Sequence, residues 1–471
     1  MVPNSRRGKQ AVGACGLVLV SWLMLALAAP SAGADRLPVL DLEQVVLRAL
    51  ENNPGVREAK WDLEAADARV RAQESAYWPS VSITTSGERT TLNQASPVEA
   101  RPFLDFSVLD PSLGQVPVAE AERDLSGFTR YVGAVSVEYL LLDFGRRQHG
   151  LAAARSDRQA LDSSLDSVQV DTVLTVAQHY FEILHLRALL DVQEESLTRL
   201  REAARMARRL ERAGRVSAGD IARADADVAR AEVEVTSLRN DLQGNMLRLR
   251  QAMGLEPGEF EFDIAGHSRM IDPADLAERL PDEDTLNQHP RLAGQAHAVA
   301  AQRERVRRLL ADRYPSLQLT GNYSVQKFAS GGTAPNYTVG MQLRWDVFDG
   351  GLRSARVSEA RARVIAESER SQALRQQVVT DIRDAQQDLQ EASERIELTR
   401  KALAAAELDL QLARSGYREG IRTFYDLSLA ETAYREASAR SVGAEFDRQQ
   451  AIVRLYWAIG GLDDDGPAGS F

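Results

Sequence analysis

Residues 382–417 read IRDAQQDLQEASERIELTRKALAAAELDLQLARSGY. At alternating steps of three and four the residues are small or apolar, and those between are mostly Gln, Asp, Glu and Arg. This stripe consists of Ile382, Ala385, Leu389, Ala392, Ile396, Thr399, Leu403, Ala406, Leu410, Ala413 and Tyr417. Helix-compatible sequence extends from about Gly351 to Gly416, a rod of roughly 100 Å at 1.5 Å per residue. No globular core covers such a rod, so the sequence predicts an elongated protein.

The first 34 residues have the layout of a secretory signal peptide. Basic residues precede an apolar run over residues 11–29, and the small residues Ala-Gly-Ala follow at 32–34. We therefore expect export and removal of residues 1–34. A retained transmembrane helix is the alternative, which Pro30 and the small-residue end disfavour.

Composition narrows the function classes. The chain has a formal net charge of −11, and its basic residues are nearly all arginines scattered among carboxylates, which argues against a nucleic acid partner. The only cysteine, Cys15, lies inside the predicted signal, so we expect no disulfide and no lipid anchor. No nucleophile has a plausible base and no histidine has a metal-ligand spacing. The sequence thus predicts no enzyme activity, no cofactor and no metal site.

The chain repeats its plan, which indicates internal duplication. At an offset of 236 residues, His289-Pro290 matches Asn53-Pro54 and Tyr314-Pro315 matches Trp78-Pro79; at an offset of 206, Asp349-Gly350-Gly351 matches Asp143-Phe144-Gly145, Gly420 matches Gly214 and Gly460 matches Gly254. We predict a first repeat over 35–253, a connector over 254–284, a second repeat over 285–460 and a tail over 461–471.

Each predicted repeat contains two strands and a long helical hairpin. Period-two alternation places the strands at about 79–87, 131–143, 315–327 and 337–348. The polar stretch from about Glu88 to Arg130 is interpreted as a long loop. Coiled-coil hairpins follow the strands at about 145–252 and 352–458.

Four amphipathic strands of this length suit a bilayer, with one face for lipid and one for water. They are too few to close, so we expect several copies of the chain to complete the sheet. Aromatic residues at the strand ends nearest the helices are expected to form an interfacial girdle: Trp78, Tyr139, Tyr314 and Trp345. A soluble β-sandwich is the alternative for such alternation.

The doubled plan, the Trp-Pro and Tyr-Pro strand starts, the Asp-Gly-Gly joint at 349–351 and the turn segments 214–220 and 417–426 resemble the TolC-type outer membrane efflux protein family. The resemblance covers essentially the whole mature chain. It implies a fold that is mainly α with a transmembrane β portion: a homotrimer with a twelve-stranded β-barrel, continued by a periplasmic α-helical barrel. The number three comes from the resemblance alone, because the residues argue only for more than one copy.

The resemblance implies the outer membrane channel of a tripartite efflux or type I secretion system. Such a channel is a passive conduit surrounded by outer membrane lipid, docked by a periplasmic adaptor protein and supplied by an inner membrane pump of the RND, ABC or MFS type. A periplasmic coiled-coil adaptor or structural protein without a pore is the alternative, and an unassisted hydrolase is a third class. Two hairpins, each joined to a pair of bilayer-length strands, favour the channel.

The two tight turns carry the candidate functional residues. By resemblance, Gly214, Asp220 and Gly420 mark the tips where an adaptor docks, since glycine permits close backbone approach. Plain turn glycines are the alternative. The resemblance also implies that a second group holds the periplasmic mouth shut: Tyr417, Arg422 and Asp426.

Local chemistry offers another role for the two acids. Ser217 with Asp220, and Thr423 with Asp426, have the spacing of a helix capping box. We favour capping for Asp220 and expect Asp426 to have both roles. The family often has a second acid where this chain has Leu429, so a doubled carboxylate ring is not expected here.

Overall fold

The computed structural model describes residues 37–91, 103–105, 115–117, 127–256, 261–266, 286–328 and 331–461. The predicted signal peptide, most of the predicted connector and nearly all of the predicted tail lie outside these residues. The helices are α1 (Leu42–Asn52), α2 (Pro54–Glu74), α3 (Arg146–Arg212), α4 (Ala218–Ala252), α5 (Pro290–Ala311), α6 (Leu352–Glu419) and α7 (Phe424–Ala458). The strands are β1 (Val39–Leu40), β2 (Ser80–Thr91), β3 (Phe103–Asp105), β4 (Gln115–Pro117), β5 (Gly127–Leu142), β6 (Asp263–Ile264), β7 (Ser316–Phe328) and β8 (Thr333–Arg344).

The helices form a wall of four columns. Helices α3 and α6 are unbroken rods of 67 and 68 residues. Helix α2 and helix α4 both pack on α3, and α5 and α7 pack between α3 and α6. Along α6, every position of the 382–417 stripe is buried or half-buried, because the stripe is the seam that faces the neighbouring column.

The broken columns are joined end to end by equivalent residues of the two halves. Asn53 Nδ2 donates to the Ala252 carbonyl at 2.7 Å and so links the start of α2 to the end of α4. His289 takes the same place at the start of α5, where its ring hydrogen-bonds to the backbone of Ala458 at the end of α7. Each junction ends in a positive-φ glycine packed against it, Gly254 or Gly460.

The largest hydrophobic core surrounds these junctions. It combines α1, the middles of α3 and α6, and the adjoining ends of α4, α5 and α7. Strand β1 pairs in parallel with β6, which lies within the predicted connector over 254–284. The Tyr180 hydroxyl donates to the Ala265 carbonyl at 2.9 Å and fixes the connector to α3. Two-residue strands are too short to show a periodic pattern, so this pairing was not predicted.

The four long strands form one antiparallel sheet in the order β2-β5-β7-β8. Its register aligns polar residues on one face, where Asn322 Nδ2 donates to Ser136 Oγ at 3.0 Å. The other face is apolar and largely exposed, with Val81, Ile83, Val135, Val137, Tyr323, Tyr337, Val339 and Met341. The predicted alternation is confirmed.

The predicted loop over 88–130 was wrong at both ends. Strand β2 continues to Thr91 and β5 begins at Gly127, with Glu88 directly opposite Arg130 as an ion pair. Single-strand alternation cannot reveal this polar extension, because its stability comes from the cross-strand pair. Strands β3 and β4 form a short antiparallel ladder within the same predicted loop.

The predicted strand at 337–348 was shifted. Strand β8 begins at Thr333, because its pairing with β7 continues through Pro335, which an edge strand tolerates. It ends at Arg344. The Trp345 indole then donates to the Arg313 carbonyl at 3.2 Å, and Arg353 binds the Asp346 carbonyl, so the backbone leaves the sheet.

In the described part of the chain, no helix combines the length and hydrophobicity needed to cross a membrane.

Candidate functional site

The turn between α3 and α4 has the geometry that its glycine predicts. Gly214 has a φ of 68°, and no heavy atom lies within 4 Å of where a Cβ would be. Asp220 Oδ2 accepts from the Ser217 backbone N–H at 3.0 Å and from its hydroxyl at 2.9 Å. The predicted capping box is present, and it starts α4.

The turn between α6 and α7 is built in the same way. Gly420 has a φ of 79° and equally open space around it. Asp426 Oδ2 accepts from the Thr423 N–H at 2.9 Å and from its hydroxyl at 2.7 Å. These hydrogen bonds, and then nearby Arg422, hold the pKa of Asp426 below its usual value. Asp426 is therefore both a cap and a stable negative charge at the tip.

Tyr417 is a core residue within one chain. Only 3% of it is exposed, and its ring packs edge-on against Phe424 at 5.8 Å between centroids. Its hydroxyl is buried and has no hydrogen-bond partner among the described residues. Burial, followed by the negative charge of Asp220, raises the pKa of Tyr417. Its side chain thus connects the two turns through packing and electrostatics.

Arg422 pairs with a residue that the sequence reasoning missed. Its Nη1 lies 3.1 Å from Asp409 Oδ1 on α6. Its stem covers Gly416, where an added Cβ would lie 2.9 Å from Arg422 Cγ. One chain therefore does not bring the three predicted gate residues into a single hydrogen-bonded cluster. Of the three, Tyr417 had a signal in the apolar stripe and Asp426 in the capping-box spacing, whereas Arg422 was named by the resemblance alone.

A row of exposed apolar residues lies beside the second turn. Ile421 lies in the turn itself, Tyr425 and Leu429 are one helical turn apart at the start of α7, and all three are exposed. The Arg223 guanidinium of α4 lies over the Tyr425 ring at 5.1 Å, so this row extends to the edge of the other hairpin. Of these residues, the sequence reasoning singled out Leu429 alone.

Buried polar contacts join the two hairpins just above the turns. Arg199 on α3 contacts Glu431 on α7, and Arg414 Nε on α6 lies 3.6 Å from the same carboxylate. Ser428 Oγ on α7 donates to Asp227 Oδ2 on α4 at 2.7 Å. The sequence does not distinguish these residues, because a single charged residue on a long polar helix is usually exposed to solvent.

The predicted aromatic girdle lies at the end of the sheet nearest the helices. Trp78, Tyr314 and Trp345 are exposed, whereas Tyr139 is half-buried within the sheet. Two further aromatic residues were missed: Phe144, which stacks on Tyr314 at 5.2 Å, and Phe348, which is exposed. Both could have been predicted from their positions, because Phe144 lies within the first Asp-x-Gly joint and Phe348 directly precedes the second.

Those joints connect the second strand of each repeat to the rod that follows it, and they do so by the same contacts. Asp143 Oδ2 accepts from the backbone N–H of Arg147 at 2.8 Å and from its Nε at 3.1 Å. Asp349 does the same with Arg353, at 3.0 and 2.7 Å. The hydrogen bond from the Arg353 side chain is the main reason that the pKa of Asp349 is lowered.

Each joint arginine also donates to a backbone carbonyl just beyond the end of the helix that precedes the strands. Arg147 Nη1 donates to the Ala76 carbonyl at 3.1 Å, and Arg353 Nη1 to the Asp312 carbonyl at 3.3 Å. Both arginines lie at the 206-residue offset, so comparing the repeats further along could have found them.

Among the described residues, no group of three or more His, Cys, Asp or Glu side chains is placed to hold a metal ion.

Comparison with known proteins matches residues 45–255 and 283–461 to the model of a family described as outer membrane efflux protein. The chain is 26% identical to the protein CyaE of Bordetella pertussis, over 83% of this chain and 73% of that one. It is 24% identical to the probable efflux pump outer membrane protein TtgC of Pseudomonas putida, over 89% and 83%. The CmeC outer membrane channel of Campylobacter jejuni has the same fold, with a TM-score of 0.76 and 16% identity over 89% and 85%.

Proposed function

Because this chain belongs to the outer membrane efflux protein family, we propose that it forms a passive trans-periplasmic conduit that is gated at its helical tips and docked there by an adaptor. As a member of that family it is an outer membrane channel of efflux or secretion, with its helices in the periplasm. The observation that carries the proposal is the four-stranded sheet, which has one apolar face and two edges that pair with no other described strand.

The edges of the sheet argue for assembly. On the outer sides of β2 and β8, the backbone N–H and C=O groups face no neighbouring strand among the described residues. Unpaired backbone groups are not tolerated in hydrocarbon, so each edge needs the opposite edge of another copy. We propose three copies, which give twelve strands surrounded by outer membrane lipid. The two repeats, 35–253 and 285–460, each contribute two strands and one hairpin.

The assembly is tested in outer membrane fractions of cells that express the full chain. We expect trimers that dissociate on heating and that conduct ions in planar bilayers. A soluble monomer in the periplasm would instead support the alternative, a coiled-coil adaptor or structural protein without a pore. The exposed apolar face of the sheet favours the channel over that alternative.

The gate is proposed at Tyr417, Arg422 and Asp426. Repeated around a trimer axis, the Asp426 carboxylates would favour cations in a narrow mouth, while Arg422 holds the tip of α7 to α6. Arg422→Ala releases the tip from α6 and Asp426→Asn weakens the capping box of α7, so we expect each variant to loosen the closed mouth and raise single-channel conductance. Asp220→Asn is the matched control, because Asp220 has the same capping contacts at the other turn. Unchanged conductance in both gate variants would leave these residues with local roles only.

Adaptor docking is proposed at Gly214, Asp220 and Gly420. The open space around both glycines supports close approach of a partner backbone. We expect Gly214→Ala and Gly420→Ala to weaken crosslinking to a periplasmic adaptor while trimers persist. The control is Gly244→Ala in α4, where a Cβ also has free space but φ is not positive. Equal crosslinking in all three variants would contradict docking at the tips. The adaptor would connect the channel to an inner membrane pump.

A further inference from the structure

The end of the sheet farthest from the helices carries two cations on its apolar face. Arg89 follows Val81 and Ile83 on the same side of β2, and Lys327 follows Tyr323 on the same side of β7. Both cations are exposed. Within the described residues, neither has an ion-pair partner.

A tyrosine ring lies between them. Lys327 is directly opposite Tyr131 on β5, Tyr131 is opposite Gly87 on β2, and Arg89 is one row further out, opposite Thr129. A Cβ on Gly87 would come within 3.2 Å of Tyr131 Cδ1 and Cε1, so the ring lies over the glycine. Strand spacings place the Cα atoms of the two cations roughly 12 Å apart. Both side chains can therefore reach one ligand above the ring.

The distance between the aromatic girdle and these cations matches the thickness of a bilayer. Twelve residues separate Trp345, in the girdle, from Thr333, which pairs with Lys327. At about 3.4 Å per residue and a strand tilt near 45°, this is roughly 29 Å along the bilayer normal. With the girdle at the periplasmic interface, Lys327 and Arg89 lie at the headgroups of the outer leaflet.

Residues on the polar face of the sheet do not neutralise Arg89 and Lys327. The rim residues on that side, Glu88 and Arg130, pair with each other across the strands. The positive charge of Arg89 and Lys327 therefore remains directed to the lipid side, where phosphate groups are the complementary partner.

We propose that Arg89, Lys327 and Tyr131 bind the phosphorylated sugar headgroup of an outer-leaflet glycolipid. The two cations bind its phosphates, and the tyrosine ring supplies an apolar platform for a sugar ring. This inference rests on the proposed function, because only a closed barrel with its apolar face outward places these residues among lipid headgroups.

The test is native mass spectrometry of full-chain trimers with three lipids: diphosphorylated lipid A, lipid A without its phosphates, and phosphatidylglycerol. We expect preferential binding of diphosphorylated lipid A. The double variant R89Q/K327Q should lose about thirtyfold in affinity, since each cation near an anionic surface contributes about fivefold. Tyr131→Ala should weaken binding and Tyr131→Phe should retain it. The control is Arg344→Gln, which removes an exposed arginine from the polar face at the other end.

Wild-type affinity in the double variant would overturn the inference. Equal binding of phosphatidylglycerol and lipid A would overturn the sugar-binding part and leave a general phosphate contact. Trimer formation and conductance are measured separately on each sample. Their absence in the wild type would refute the proposed function, whereas conducting trimers without lipid A binding would refute this inference alone.

Discussion

Arg199 Nε donates to Glu431 Oε2 at 3.1 Å, and the two side chains are only 10% and 2% exposed. The pair joins rod α3 of the first hairpin to α7 of the second. Together with the hydrogen bond between Ser428 and Asp227, it ties both helices of the first hairpin to α7. Any motion that separates the hairpins at the tips has to break these contacts.

Removing the buried acid should destabilise the assembly strongly. Glu431→Ala removes the buried partner of Arg199 and leaves its guanidinium only the pair with the exposed Glu195. Removing one partner of a buried pair costs about 3–5 kcal/mol, and the remaining contact with Glu195 places this case at the lower end. We expect a lower thermal unfolding midpoint by circular dichroism, with a smaller decrease for Glu431→Gln. Glu436→Ala is the control on the same helix, because its pair with Arg440 is solvent-exposed and contributes little. Equal decreases in the unfolding midpoint for Glu431→Ala and Glu436→Ala would contradict the conclusion that the buried pair stabilises the assembly.

The partner of Arg422 should behave like Arg422 itself. If the ion pair with Asp409 holds the tip of α7 to α6, Asp409→Asn should raise single-channel conductance in the same direction as Arg422→Ala. The double variant should add little to either change, because both remove one contact. Asp447→Asn removes a comparable exposed pair, with Arg395, far from the tip and should leave conductance unchanged. Additive effects would show that the two residues act separately.

The joint between β8 and α6 should loosen without Asp349. Asp349→Ala removes the acceptor for the backbone N–H groups of Gly351 and Arg353, so we expect about five- to tenfold faster amide exchange there. Because Arg353 lowers the pKa of Asp349, the wild-type joint should persist in mild acid and weaken only as pH falls through that lowered pKa. Asp346→Ala is the control beside the joint, and its amide exchange at Gly351 and Arg353 should equal that of the wild type.

His289 should make stability depend on pH. Only 3% of this residue is exposed, and burial, followed by the charge of Arg291, lowers the pKa to about 4. The folded state therefore disfavours the charged ring. The free energy of unfolding is therefore unaffected by protonation of this histidine above pH 6.5. As pH falls from 6.5 towards 4, it decreases by up to about 3 kcal/mol, because the unfolded chain takes up the proton first.

The matched variant for this prediction comes from the other repeat. Asn53 occupies the equivalent junction without a titratable group, so His289→Asn should flatten the pH dependence between pH 6.5 and 4. Thermal unfolding midpoints at pH 7.5, 5.5 and 4.5 provide the measurement. A variant that loses as much stability in acid as the wild type would assign the effect to other groups.

Periodic features were predictable because they repeat. The 382–417 stripe is buried along α6, the four alternating segments form one amphipathic sheet, and both capping boxes are present. Each of these follows from the spacing of residues along a single segment. The repeat also predicted equivalent joints, although the arginines at 147 and 353 were not recognised as part of them.

Features that depend on distant partners were not predictable. Nothing in the spacing of α3 and α7 distinguishes Arg199 and Glu431 from the many solvated charges around them. Arg422 was assigned to a gate by resemblance, but its partner Asp409 lies 13 residues earlier, on α6, whereas Arg422 lies in the turn. The sheet likewise extends through the Glu88–Arg130 pair, a contact between residues 42 positions apart.

The wall of helices is mechanically uneven. The columns of α3 and α6 run without interruption, whereas their neighbours are divided where Asn53 meets Ala252 and His289 meets Ala458. A continuous rod resists bending along its whole length, but a divided column can hinge only at its division. Flexing of such a tube would therefore concentrate at one level, halfway between the bilayer and the far turns, and the two unlike side chains there would set its stiffness.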